Sequence, residues 1–320
     1  ALSGCGVKVP PTPQPVTITF VYSGIEIDQS QYRALIEKFN ESYPHITVEL
    51  RQWPPWQAMQ NISGADVLVV YGGLVQQLQE QESIVSLEGF IQRDDTFDLA
   101  DLHPAAVSYL QHEGETYAVP AGIALNAMFY NRDLFNAYGV PHPEFGWTWV
   151  DFAEKAILLS DPRAGVYGYA SLGEGFDSIV EGFDVIEFIY QHGGKIVDDL
   201  YEPTDVTFDD PLTIEALQWY ARLIHEEEAV LTPDRAMDLY SADAPLLGVV
   251  SGKVGMWRDN LAGTREIKKA IYWGVVPLPR DEQAFTQAAV YGYAISAEAL
   301  DPEACWQWIA FLSTEVPPGM

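Results

Sequence analysis

Between Gly64 and the Gly72-Gly73 pair runs Ala-Asp-Val-Leu-Val-Val-Tyr, a nearly unbroken apolar stretch too short for a typical helix. A strand with one wet face alternates apolar and polar residues. A strand without that alternation is buried on both faces, which implies a parallel sheet with helices on either side. The neighbouring sequence agrees. Val16, Ile18, Phe20 and Tyr22 alternate with Thr17, Thr19 and Val21, and Ser23-Gly24 ends the strand. Tyr32, Leu35, Ile36 and Phe39 follow at helical spacing from a Ser30 cap, with Pro44 as the stop. Ile46–Leu50 reads as a second strand and residues 74–82 as a helix. Strands alternating with helices define an α/β layer structure.

The alternation continues. "IALNAMFYNRDLF" is a strand entering a short helix that Gly139 ends. Thr148, with Asp151 three residues on, opens a helix as a capping-box variant. "FDVIEFIYQHGG" is a helix leaving through a glycine pair, and Asp210-Pro211 caps another whose buried stripe is read as Leu217, Tyr220, Ala221 and Ile224. "KVGMW", "YWGVVPLP" and "YGYAISA" are short strands, and "EACWQWIAFLS" is the last helix. At 320 residues, two lobes are expected rather than one core.

Acids outnumber bases 46 to 17, a formal charge of −29, which repels a phosphate backbone and argues against nucleic-acid binding. An anionic membrane surface would repel the chain equally, so attachment would need a covalent anchor. No apolar run approaches the roughly 18 residues of a membrane helix. The two cysteines, Cys5 and Cys305, have no metal-ligand spacing, and Cys305 is expected as a small buried hydrophobe. The six histidines are scattered, and no zinc-protease motif, nucleophile elbow or phosphate loop occurs. No metal or cofactor is expected. Carboxylates such as Asp28, Asp66, Glu174, Asp177 and Asp259 are too many for any pair to stand out as acid and base, although glycosidase chemistry needs only two.

Aromatics carry the remaining signal. Most belong to the core. Those at strand ends, where an α/β sheet binds ligands, can act as stacking platforms for a sugar. Tyr71, Phe176, Trp257 and Tyr291 are the candidates; Trp147 and Trp149 flank a helix start and are read as structural.

Leu2-Ser3-Gly4-Cys5 resembles a bacterial lipobox, with residues 1–5 a signal-peptide remnant, Cys5 the lipidated residue and 6–15, rich in proline, a tether. The body resembles the maltose-binding-protein-like extracellular solute-binding proteins (family 1) of bacterial ATP-binding-cassette importers. The resemblance rests on an ordered set: "YAVPAGIALNAMFYNRDLFNAYGV", "WTWVDFAEKAILLSD", "GVYGYAS", "QHGGKIVDD", "FDDPLTIEALQWYARLI", "GKVGMW" and "WGVVPLPRD…YGYAISAEALDPEACWQWIAFLS".

That resemblance implies a two-lobed, hinge-connected periplasmic-binding-protein fold of type II, with residues 16–122 plus 258–320 in one lobe and 123–257 in the other. Crossings are expected near Val119–Ile123 and Trp257–Leu261. By position it implies ligand contacts from Tyr22, Ser23, Tyr71, Gly72, Ala124, Asn126, Phe176, Asp177, Trp257, Arg258, Asp259, Tyr291 and Tyr293. It implies no catalytic residue, a monomer, a small-molecule ligand such as an oligosaccharide, a permease as partner, and a place on the outer face of the bacterial cytoplasmic membrane. Tyr130, Asn131 and Asp133 match the family too but sit at a strand–helix junction and are read as structural. Relatives are expected to continue past the last helix into the second lobe, whereas this sequence ends at "STEVPPGM". An extracellular glycan-processing enzyme and a non-transporting sensor with the same fold are the alternatives.

Overall fold

The computed structural model describes residues 14–23, 29–53, 61–170, 172, 181–199, 204–241, 245–260 and 270–315. Cys5, the lipobox, residues 6–13 of the tether, and Phe176 and Asp177 lie outside them. The chain divides into two compact units, Ala1–Ile123 with Ala289–Met320, and Ala124–Ala288.

In chain order the first unit supplies β1 (Val16–Tyr22), α1 (Gln29–Ser42), β2 (Ile46–Gln52), β3 (Val67–Tyr71), α2 (Val75–Glu80), α3 (Glu88–Ile91), α4 (Pro104–Tyr109), β4 (Gln111–His112) and β5 (Glu115–Thr116). β6 (Val119–Asn131) crosses into the second unit. There follow α5 (Arg132–Tyr138), α6 (Trp149–Leu159), β7 (Tyr167–Ala170), α7 (Glu181–Gln191), α8 (Pro211–His225), β8 (Val230–Leu231), α9 (Pro233–Tyr240), α10 (Pro245–Val250), β9 (Val254–Asn260) and β10 (Trp273–Val276). β11 (Ala288–Ile295) re-enters the first unit, and α11 (Pro302–Thr314) follows.

In the first unit β1 lies between β2 and β3, parallel to both, and β11 pairs antiparallel with β3 from Tyr291 opposite Tyr71 to Ile295 opposite Val67. One face of this sheet packs Ile18, Phe20 and Tyr22 against Tyr32, Leu35 and Phe39 of α1 and Trp308 and Ile309 of α11. The other packs Val21, Leu68 and Val70 against Val75 and Leu78 of α2 and Leu110. The sheet is therefore covered on both sides, as the apolar run at 67–71 requires. Phe20 meets Tyr32, Tyr293 and Trp308 edge-on at 4.9, 6.0 and 5.7 Å between ring centroids, a geometry in which positive ring edges meet negative faces.

In the second unit β9 runs parallel to β7, β8 pairs on the other side of β7, and β6 pairs antiparallel with β9 and β10. The capping box holds: Thr148 Oγ1 accepts from Asp151 N at 3.3 Å, and Asp151 Oδ2 accepts from Thr148 N at 2.8 Å. Asp210 caps α8 by accepting from Leu212 N and Thr213 N. Its buried face is Thr213, Ala216, Tyr220 and Leu223, with Leu217 and Ile224 half-buried and Ala221 exposed. The expected stripe was placed about one position too far toward the C-terminus at Ala221. α6 lies directly on β7: a Cβ added to Gly168 would stand 1.9 Å from the Ala156 carbonyl oxygen.

The chain passes between the units at 123/124 and again at 288/289, against expected crossings near Val119–Ile123 and Trp257–Leu261. Residues 254–260 are paired with β7 and β6, and 273–276 with β6, so both strands belong to the second unit.

Candidate functional site

Tyr22, Ser23, Tyr71, Gly72, Tyr291 and Tyr293 belong to the first unit, and Ala124, Asn126, Trp257, Arg258 and Asp259 to the second. Each unit gathers its own set.

The carboxyl ends of the parallel strands β1, β2 and β3 share one edge of the first sheet, the edge where open α/β sheets bind ligands. Tyr22 and Tyr293 do not open onto it; both are core aromatics, 1% and 6% exposed. Tyr71 does, at 43% exposure, with Tyr291 beside it at 6.0 Å between ring centroids. Tyr109, at the end of α4, completes a three-tyrosine group. Its hydroxyl is hydrogen-bonded to Tyr71, and burial together with that neighbour pushes its pKa up to about 12. Gly72 makes room for it: a Cβ there would lie 2.5 Å from Tyr109 Cδ1. The role of Gly72 here is steric. Trp53, half-buried past the end of β2, donates its backbone N–H to the Tyr22 carbonyl. Sequence reasoning missed Tyr109, whose helix carries no motif; the only signal was a glycine pair after β3 that needs an aromatic over it.

In the second unit Trp257 is fully buried and stacks on Phe129 at 6.0 Å and 21° between planes. It is a core residue in this structure and offers no accessible face. The polar groups converge on Glu187 of α7, which is 2% exposed. Its Oε2 accepts from Arg258 Nε at 2.6 Å. Its Oε1 accepts from Gln287 N at 2.8 Å and Asn126 Nδ2 at 3.3 Å, and the Thr286 hydroxyl lies 3.3 Å away. Burial lifts the Glu187 carboxyl above the usual carboxylate range, against the pull of Arg258 and of these hydrogen bonds. Arg258 Nη2 also donates to Gln287 Oε1 at 3.1 Å. Asn126 and Arg258, expected as ligand contacts, thus have protein partners here. Ala124 and Asp259 are half-buried. Asp66, among the carboxylates weighed for catalysis, accepts from Thr19 N at 2.7 Å and ties β3 to β1.

A groove of about 690 Å³ lies between α6, α7 and α8, lined by Trp149, His192, Glu215, Trp219, Arg222 and Asp281 among others. Trp149 there stacks between Trp219 at 4.2 Å and His192 at 5.3 Å, and His192 bonds Asp281 at 2.5 Å and Glu215 at 3.2 Å. Its walls are helix faces rather than strand ends, so the tyrosine edge is the better ligand candidate. No group of side chains able to hold a metal ion occurs among the described residues.

Two α/β units joined by two crossings, with aromatic side chains at a sheet's carboxyl edge, define a solute-capturing class of protein. The match to that class is direct: the bacterial extracellular solute-binding protein family aligns with residues 23–316, and the chain belongs to it. Solved structures share the fold. The ABC substrate-binding protein Lmo0181 from Listeria monocytogenes, in complex with cycloalternan, is 20% identical with a TM-score of 0.79, covering 94% of this chain and 76% of its own. UgpB from Mycobacterium tuberculosis, in complex with glycerophosphocholine, is 19% identical with a TM-score of 0.75, covering 94% and 75%. The GacH receptor of Streptomyces glaucescens, solved unliganded and with acarbose, is 23% identical with a TM-score of 0.74, covering 94% and 76%. The fold is that of two-lobed periplasmic solute-binding proteins. No helix among the described residues is long and apolar enough to cross a membrane.

Proposed function

We propose that this protein captures a carbohydrate, an oligosaccharide rather than a single sugar, and delivers it to the permease of an ATP-binding-cassette importer. The observation that carries the reading is the exposed Tyr71 with Tyr291 and Tyr109 at the carboxyl edge of the first sheet. Aromatic faces match the apolar faces of sugar rings, and the hydroxyls serve as hydrogen-bonding partners at the rim. Cycloalternan and acarbose in the related structures support that ligand class. The protein acts without catalysis, as a monomer, held at the outer face of the membrane by a lipid on Cys5. That anchor would keep a chain of charge −29 beside an anionic surface.

Isothermal titration with maltose, maltotriose, acarbose and a cyclic glucan tests the ligand class. Binding of at least one, weakened tenfold or more in Tyr71→Ala, is expected. Turnover of a labelled glucan would assign an enzyme instead. The glycerophosphocholine held by a related structure favours a second ligand class, a glycerol phosphodiester of choline, whose quaternary ammonium suits aromatic faces. Binding of that compound with no response to any sugar would replace the carbohydrate reading.

A further inference from the structure

The buried carboxylate of Glu187 joins four segments far apart in sequence. Asn126 is on β6, just after the first crossing at 123/124. Thr286 and Gln287 come just before the second crossing at 288/289. Arg258 is on β9, in the middle of the second sheet, and Glu187 itself is on α7. The two crossing segments also touch directly, with Asn126 N donating to Gln287 O at 3.4 Å and the Thr286 hydroxyl 3.1 Å from the Asn126 carbonyl. Further along the same strap, Gln191 Nε2 donates to Phe285 O at 2.9 Å and Gln283 Nε2 to Tyr190 O at 2.6 Å. Tyr190 stacks on Phe285 at 4.7 Å, and His192 bonds Asp281. The return strap from Asp281 to Gln287 is therefore fastened to α7 along its length.

A buried ion pair of this kind adds little net stability, since desolvation offsets the attraction. What it does well is specify which segments meet. By contrast, the strand carries few packed side chains around the first crossing: Gly122 is exposed with nothing within 4 Å of an added Cβ, and Ile123 and Leu125 are 41% and 54% exposed.

We propose that Glu187 is the positioning residue of the hinge: it clamps the second-unit ends of both crossings to α7 and β9, confining bending to about residues 121–125 and 288–289. The solute-binding reading says what the bending is for, but the clamp itself is tested without any solute.

Spin labels on cysteines replacing Glu41 in the first unit and Glu154 in the second, both exposed, report the distance between units in a Cys5→Ser background. Buried Cys305 stays unlabelled. Glu187→Ala is expected to broaden the ligand-free distance distribution at least twofold. It should also raise amide exchange at 124–127 and 285–288 about tenfold, with β7 and β9 amides unchanged. Glu187→Gln, which keeps an acceptor for Gln287 N, should recover part of the narrow distribution. Should Glu187→Ala fail to fold, the double variant Asn126→Ala/Thr286→Val leaves the ion pair intact and should broaden the distribution by a smaller amount. A folded variant with unchanged distribution width overturns the proposal. So does an exchange increase spread evenly over the second unit, which is the signature of plain destabilisation. Absence of sugar binding would sink the ligand assignment and leave these readouts untouched.

Discussion

Tyr71 and Trp257 look alike in the sequence, each an aromatic at a strand end beside glycine or polar residues. Their fates differ because of what covers them. Trp257 is closed over by Phe129 and the surrounding core, whereas Tyr71 stands 43% exposed at a sheet edge with Tyr109 and Tyr291 alongside. Cover is a long-range property that alternation along one strand cannot report, and so Tyr109 escaped notice altogether. Cys305 is the opposite case: its place in an aromatic helix was enough to read it as core. It is fully buried, and burial first, with Asp66 and Asp301 adding to it, pushes its pKa up to about 12. The thiolate is the reactive form, so Cys305 should give no signal with a disulfide reagent at pH 8 until the protein is unfolded. Rapid native labelling at Cys305 would contradict the burial.

At the scale of the element, most of the fold was legible because caps, stops and periodicities are local. The box at Thr148 is one example, and Thr148→Ala should cost about 1 kcal/mol in chemical denaturation. Gly168 carries a heavier constraint. Its added Cβ would meet the backbone of α6, which cannot yield as a side-chain tip can, so Gly168→Ala should prevent α6 from seating on β7. A cost of about 3 kcal/mol or more is expected, at the overpacking end of core substitutions. An unchanged denaturation midpoint would show that α6 shifts freely. His192, at the exit of α7, gives a pH signature. Burial alone would lower its pKa, but the bonds to Asp281 and Glu215 outweigh burial and leave it raised. The folded protein then holds the proton more tightly than the unfolded chain. The stabilisation is full below about 6.5 and is lost as pH rises through the native pKa. His192→Asn should flatten the fall of Tm between about pH 6 and 8. A wild-type slope in that variant would mean another group sets it.

At the scale of the whole molecule, the two-lobed fold was legible, whereas the place where the chain returns to the first unit depends on long-range pairing. The family resemblance implied a return to the first unit near Trp257–Leu261. Only pairing with β7 and β6, more than 80 and 120 residues earlier in places, shows that residues 254–260 stay in the second unit. The anchor is tested at this scale too. Mass spectrometry of protein from a membrane fraction should find Cys5 carrying a diacylglycerol, and Cys5→Ala should release the protein into the soluble fraction.

β11 extends the first sheet beyond β3, setting Tyr291 against Tyr71, and α11 brings Trp308 onto Phe20 and Phe39. The first unit is thus built from the beginning and the last stretch of this sequence, while the second is one unbroken span. A chain emerging N-terminus first makes β1–β3 and α1 early, but part of their packing waits some 200 residues for β11 and α11. The second unit, by contrast, is contiguous from 124 to 288. Birth order and folding order are therefore reversed: the unit made first should finish last. Pulse-labelled hydrogen exchange during refolding should show β7 and β9 amides protected before those of β1 and β3. During synthesis, the exposed Ile18, Phe20 and Phe39 are where a holding chaperone would find its grip.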